Sequence, residues 1–519
     1  MTMTSETAET SLDSQQIKHY PLFIGGQWVD SDERYTIIDP ATGELVATAA
    51  KGNREHADAA VKAAKESFES GVWKNQSPAQ RADVLERFAS AWEARIDELS
   101  VLTTKESGIP VRLGAVFGVY SPVADTRQFA ADLRRFEWER PGPVLEPMLA
   151  VGILRREPIG VCLGIVPWNT PTALAIWKAI PALAAGNSVV LKVDEKTPVT
   201  GLELAKALSD AGLPDGVFNV VTGEGRDVGS YLTEHKDVSH VSFTGSTATG
   251  RTVMAAAAAR LKPVVLELGG KGPNIILEDA DLDAAVDGSI WAFMMHSGQA
   301  CESGTRLLLP ESIHDEFVSR LIARVKTMRL GDTLDPLTDV GPLVSDHQRK
   351  RVLAYIESGK ADGARVVIGG GVPEGEQFAN GYYVEPTIFV DATNDMKIAR
   401  EEIFGPVLTV IKYDSLEQAI EIANDTEYGL SAGIWSEDIE KALAVARQIE
   451  AGSIWINDFH CATSKYPFGG YKQSGVGREL GSSAMNDYTE EKTILLSVST
   501  QGSRLAKYGL VLGTPRDAS

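Results

Sequence analysis

Apolar positions along this chain change period repeatedly, and the changes mark out its elements. Within residues 54–104, HADAAVKAAKESFES and RADVLERFASAWEARIDELS repeat apolar residues at helical intervals, which predicts amphipathic helices lying on a sheet. From residue 158 short apolar runs alternate with helical patterns: IGVCLGIVPW, a helix through ALAIWKAIPALAAG, NSVVLKV, a helix in GLELAKALSDAG, then GVFNVVTG. The series continues through VSHVSF, a helix in TATGRTVMAAAAAR and the strand PVVLEL, which ends at Glu267. Unbroken apolar runs suit strands covered on both faces, and strand–helix alternation builds a parallel, doubly wound sheet. After Glu267 the series restarts: helical patterns such as ADLDAAVDGSIWAFMM and HDEFVSRLIARVKTM alternate with RLLLP, YYVEPTIFV, GPVLTVIKY and AGSIWIN. The prediction is an α/β protein with two such domains. Proline and glycine punctuate FEWERPGPVLEPMLAVGILRRE, from Phe136 to Glu157, which with a late strand in KTILLSVST predicts a small hairpin module outside both domains. It fits an ordinary surface hairpin and an oligomer contact equally well.

Composition narrows the class. A length of 519 residues exceeds one core and, with 43% apolar residues, fits two or three domains. Acidic residues outnumber basic ones, 71 to 50, and the formal charge of −21 disfavours a general role on nucleic acid or an anionic membrane. The three cysteines, Cys162, Cys301 and Cys461, have no disulfide-framework or metal-site spacing, which points to a reducing cytoplasm and no metal. Residues 1–16 lack a basic start and an apolar run, so they read as a disordered tail and not a signal peptide. No apolar stretch reaches the roughly 20 residues that span a bilayer.

Two segments carry chemistry. Glu267-Leu268-Gly269-Gly270-Lys271 and Gly298-Gln299-Ala300-Cys301 place a carboxylate and a thiol in glycine-rich loops, a nucleophile with a candidate base. Cys162, within IGVCLGIV, reads as a small buried hydrophobe and Cys461 as a peripheral loop residue. None of the eight histidines has a triad-like or metal-ligand spacing. The turn TGSTATGR puts Gly245 and Ser246 between a strand and a helix, where backbone amides and the helix dipole favour a phosphate, and where a plain N-cap is equally at home. Lys192 and Glu195 follow a strand at the edge where open sheets bind ligands. Either residue alone also fits a solvated loop charge.

As a set, PWN at Pro167–Asn169, WKAIPALAAGNSVVLK from Trp177, FTGSTATG, LELGGK, GQAC, EEIFGP from Glu401 and PFGGYKQSGVGRELG from Pro467 resemble the NAD(P)-dependent aldehyde dehydrogenase superfamily, over about residues 21–497. The resemblance implies that family's fold: two Rossmann-like domains and a β-hairpin oligomerisation module. On that pattern residues 17–137 and 158–266 form the NAD-binding domain, 267–475 the catalytic domain, 138–157 and 476–498 the oligomerisation module of a homodimer or homotetramer, and 499–519 a C-terminal extension. It implies Cys301 as nucleophile, Asn169 as oxyanion donor, Glu267 as the base for thioester hydrolysis, and Lys178 and Glu479 as a proton relay or a structural ion pair. It further implies Trp168, Lys192, Glu195, Gly245, Ser246, Glu402 and Phe404 as cofactor contacts. The reaction implied is oxidation of an aldehyde to its carboxylic acid without coenzyme A. A thiol hydrolase and a binding protein on a retired enzyme scaffold are the alternatives.

Departures from the family pattern refine this. Glu195 can bond both ribose hydroxyls but repels a 2′-phosphate, which favours NAD over NADP. KVDE replaces the frequent KPSE, and MMHSGQACES places Met295, His296 and Glu302 around the nucleophile. A carboxylate at Glu302 would raise the thiol pKa if its side chain faced the sulfur. Thr170 stands where an aromatic is frequent and would widen a tunnel lined by Trp177, Phe468 and residues 458–464. Thr170, Trp177, Met294, Phe459 and Phe468 together point to an apolar or aromatic aldehyde.

Overall fold

A computed structural model describes residues 17–145 and 150–498, with positions 500, 508, 509 and 511–513 beyond them. The tail of residues 1–16 and most of the C-terminal extension lie outside the described residues.

The first apolar series folds into an eight-stranded sheet. Its five parallel strands stand in the order Val264–Glu267, His240–Thr244, Val161–Ile165, Ser188–Lys192, Phe218–Val221. Four of the five are buried at every residue, as runs without polar alternation require. From Val161–Ile165 the chain winds outward through 188 and 218, then returns to 240 on the other side. The strand order therefore reverses between Val161–Ile165 and His240–Thr244, and the crevice at their carboxyl ends is where such sheets take ligands. Pro167–Asn169 and Gly245–Ser246 leave the sheet there. The antiparallel hairpin Leu22–Ile24/Gln27–Val29 closes one edge, and Gly475–Val476 pairs antiparallel with Val264–Glu267 at the other. That last pairing returns the chain from the second domain to the first beside Glu267.

The second series forms a seven-stranded sheet, mostly parallel, with Pro273–Ile276 and Arg306–Pro310 at its centre. Its orientation matters for the site. Gly270 precedes Pro273–Ile276, Cys301 precedes Arg306–Pro310, and Glu402–Phe404 precede Val407–Tyr413. The second sheet thus presents its amino edge to the carboxyl edge of the first.

Thr489–Ser497 pairs antiparallel with Ala150–Pro158 along its whole length, and Glu139–Pro141 adds a third strand. The long helical stretch of residues 81–100 is two helices, Pro78–Glu93 and Ile96–Ser107. A helix at Ser121–Leu133 and a three-stranded sheet, Lys18–Tyr20 with Leu45–Ala50 and Arg34–Ile38, were not legible from periodicity. Among the described residues no helix is long and apolar enough to cross a membrane.

Candidate active site

Cys301 sits in a loop held open by backbone that ordinary residues avoid. The helix Leu282–Met294 ends in a turn where His296 and Ser297 take φ of 50° and 55°, followed by Gly298 at 74°. Left-handed conformation in two consecutive non-glycine residues costs of order 1 kcal/mol or more each, so the surroundings must enforce it. Ser297 Oγ donates to the Gly341 carbonyl at 2.7 Å, Gln299 Nε2 donates to the His296 carbonyl at 3.1 Å, and Gln299 Oε1 accepts from Val344 N at 3.0 Å. A Cβ at Gly298 would lie 2.2 Å from the Gly405 carbonyl oxygen, and one at Gly270 would lie 2.3 Å from the carbonyl oxygen of Cys301 itself. Two glycines therefore allow the nucleophile loop to seat against its neighbours.

Asn169 enters from the first sheet's carboxyl edge. Its Nδ2 donates to the Gln299 carbonyl at 2.9 Å, which fixes the amide plane beside the nucleophile loop. The second amide hydrogen stays available for a reacting oxygen. Glu267 ends its strand 2% exposed, and neither carboxyl oxygen has a hydrogen-bond partner. Burial, reinforced by the charge of Glu479, pushes its pKa well above the ordinary carboxylate value, against the pull of Lys178 and Arg478. A carboxyl in that state can take up a proton and release it. Behind it Lys178 Nζ bonds Glu479 Oε1 at 2.6 Å and Thr244 Oγ1 at 2.7 Å, and Ser242 Oγ donates to the same Glu479 oxygen at 2.9 Å.

A cavity of about 180 Å³ adjoins the thiol, lined by Trp168, Asn169, Gly245, Ser246, Cys301, Glu402 and Phe404 among others. Ser246 caps the helix Thr247–Ala258 through Thr249 N, so its helix N-terminus opens on this cavity. Trp168 and Phe404 meet edge to face at 5.3 Å. Glu402 accepts from Gly270 N at 3.1 Å, and burial lifts its carboxyl to about 7. Gln348 and Arg351 also line the cavity and anchor the carbonyls of Phe404 and Glu402 at 2.8 Å each. Their sequence surroundings carried no signal. Lys192 and Glu195 face each other at 3.5 Å past the end of their strand. An anion-binding helix end, an aromatic slot and carboxylates able to accept from hydroxyls form a donor and acceptor set that fits a dinucleotide.

The proposed substrate wall is divided. Trp177 packs on Phe468 at 5.5 Å and donates from Nε1 to Asp125 Oδ2 at 2.8 Å, and Thr170 stands half-buried just before that helix. Met294 and Phe459 do not join them. Met294 packs with Phe293, Leu307 and Phe317 in a core cluster. Phe459 is 1% exposed and fills the space left by Gly304 and Gly433, where a Cβ would come within 2.8 Å of its ring. Both are interior side chains, because hydrophobic character cannot distinguish a cavity wall from a core.

Glu302 meets the condition set for it. Its carboxylate faces the sulfur: Cys301 Sγ donates to Glu302 Oε2 at 3.2 Å, while Oε1 lies 3.1 Å from Nδ1 of His460. Burial first and the Glu302 charge second raise the Cys301 thiol well above its ordinary value. A histidine does stand behind the nucleophile, through a carboxylate and across 158 residues of chain, a separation that local spacing cannot reveal. Cys162 is buried and Cys461 exposed.

Comparison with known proteins bears on the whole chain. The family model described as the aldehyde dehydrogenase family matches residues 28–494. The betaine aldehyde dehydrogenase of Bacillus subtilis is 41% identical over 485 residues, spanning 91% of this chain and 96% of that protein. The crystal structure of a Staphylococcus aureus betaine aldehyde dehydrogenase in complex with NAD+ superposes with a TM-score of 0.90 at 37% identity, covering 93% of this chain and 95% of that one. An NAD+ complex of aldehyde dehydrogenase from Bacillus cereus also gives 0.90, at 40% identity, covering 93% and 97%. With the Cys301 loop, the buried Glu267 carboxyl and the crevice beside them in one place and this similarity along its length, the chain belongs to the aldehyde dehydrogenase family.

Proposed function

We propose that this protein oxidises an aldehyde to its carboxylic acid with NAD, through a thioester on Cys301. The observation that carries the reading is the convergence of Cys301, the Asn169 amide and the partnerless Glu267 carboxyl beside a dinucleotide-shaped crevice. Sγ adds to the carbonyl carbon, and the thiol proton leaves to solvent as the one proton that the overall reaction releases. The developing oxyanion faces Asn169 Nδ2, a donor of the kind worth roughly 2.7–4 kcal/mol in the transition state. Trp168, Lys192, Glu195, Gly245, Ser246, Glu402 and Phe404 would hold NAD, which would supply the hydride acceptor. Glu267 then takes a proton from water as the hydroxyl attacks the thioester carbon, and returns it to the departing sulfur. The Lys178–Glu479 pair sets the charge behind it.

Glu195 beside Lys192 supports NAD over NADP. The Trp177–Phe468 pair and the short Thr170 support an apolar or aromatic substrate. A cationic aldehyde is a second reading, favoured by relatives named for betaine aldehyde. The exposed strand Thr489–Ser497 supports a homodimer or homotetramer.

The test is absorbance of reduced cofactor with a panel of aldehydes and either NAD or NADP. We expect turnover with NAD that is abolished in Cys301→Ala. Ester cleavage without cofactor reduction would instead establish a hydrolase, and a clear preference for NADP would refute the role given to Glu195.

A further inference from the structure

Beside the thiol stands a polar pair that this reaction leaves unused. His460 is 1% exposed in its side chain and Glu302 14%. The histidine ring is wedged among Trp291, Trp455 and Phe459, at 5.4, 6.4 and 5.1 Å between centroids. Its backbone takes φ of 58°, a conformation that a non-glycine residue keeps only where its surroundings impose it. Nε2 lies 3.0 Å from the Ala292 carbonyl oxygen, an acceptor only, so Nε2 carries hydrogen. Nδ1 faces the Glu302 carboxyl, so one more proton lies between Nδ1 and Oε1. The pair therefore holds that proton jointly and carries no net charge.

Glu302 Oε2, the other oxygen, accepts the Cys301 thiol hydrogen. That donor disappears in the reaction, because once Sγ bonds the aldehyde carbon no hydrogen remains on sulfur. A largely buried carboxylate oxygen is then left without a partner, which is costly unless something replaces the thiol. In the thiohemiacetal the substituents on the substrate's second carbon lie three covalent bonds from Sγ, within reach of an acceptor 3.2 Å from that sulfur.

We propose that Glu302, braced by His460, is a specificity-determining acceptor for a hydroxyl on the carbon next to the carbonyl, so that 2-hydroxyaldehydes are favoured substrates. A hydroxyl at that carbon supplies the hydrogen the thiol gives up. A methyl group in its place supplies none. A quaternary ammonium has no hydrogen to donate, and His460 has already neutralised the charge that would attract it. Burial works to raise the Glu302 carboxyl, yet the bond to His460 outweighs it and holds the group below its ordinary value, which keeps an acceptor in place at neutral pH. The inference rests on Cys301 as the nucleophile of an aldehyde oxidation.

The test compares kcat/KM for 2-hydroxypropanal and its near-isostere 2-methylpropanal in the full-length protein and in Glu302→Gln. The ratio of ratios removes the intrinsic reactivity of each aldehyde. We expect the preference for the hydroxyaldehyde to fall about tenfold in Glu302→Gln, the difference between a charged and a neutral acceptor. In His460→Gln the carboxylate loses its neutralising partner, so activity on betaine aldehyde should rise relative to 2-methylpropanal. That second variant reports on the pair even if the first folds poorly. An unchanged ratio in Glu302→Gln, or a wild-type protein that strongly prefers betaine aldehyde to 2-hydroxypropanal, overturns the inference while leaving aldehyde oxidation standing. No reduced cofactor from any aldehyde overturns both.

Discussion

In the proposed mechanism Cys301 and Glu267 act in succession, and a single atom change separates their steps. In Glu267→Gln the amide cannot take a proton from water, but Sγ and Asn169 are untouched. A burst of reduced cofactor of normal rate should therefore precede steady-state turnover lowered by about 10²–10⁴-fold, read by stopped-flow absorbance. Loss of the burst would show that Glu267 also serves the thiol. The charges behind Glu267 make a second prediction of opposite signs. Its pKa is raised by burial and then by Glu479 and is lowered by Lys178, and the base works only when ionised. Deacylation should thus rise with pH through this elevated pKa. Glu479→Gln should move the rising limb to lower pH and Lys178→Met to higher pH, which a pH profile of steady-state kcat resolves. The two cysteines outside the site were legible from their neighbours, apolar around Cys162 and polar around Cys461. Glu302 was not, because the direction of a side chain beside a nucleophile depends on the partner it finds.

The decisive element is the loop from Met295 to Cys301, whose left-handed turns aim the thiol. Gly298 combines a φ of 74° with backbone 2.2 Å from any added Cβ. Gly298→Ala should destabilise the fold by roughly 2–4 kcal/mol. The surviving folded protein should have a much slower burst, because a small displacement of the nucleophile loses alignment. Equal burst rates in a thermally weakened protein would show that the loop readjusts without cost. The strands and helices that build the two sheets were readable, since period and apolar content report burial directly. The pairing of Gly475–Val476 with the strand of Glu267 was not readable, because two residues carry no period.

The whole molecule brings a carboxyl edge and an amino edge of two sheets together. Each half of the site lies at one edge, so the crevice exists only when the domains are joined. The three-stranded module stands apart from that crevice and exposes Ile494, Leu495 and Leu496 on its last strand, with Val498 just beyond it. A run of exposed apolar residues on an edge strand is a surface awaiting a partner. Leu495→Glu with Leu496→Glu should shift the protein toward monomer in light scattering. An unchanged mass would remove this strand from the interface.

Sequence alone determined the two α/β series and the family, and by motif position it put forward Cys301, Glu267 and Asn169, with the Gly245–Ser246 turn, as the candidates that the proposed function uses. These are legible because burial periodicity and local turn chemistry are properties of neighbouring residues. Only the tertiary structure decided that Met294 and Phe459 are core, that Gln348 and Arg351 reach the cofactor crevice, and that His460 stands behind Glu302 at the sulfur. Those relations join residues far apart in the chain, and their geometry is set by packing between the two domains and within the second. A one-dimensional pattern records what each residue can do, and the fold selects which of those capacities meet.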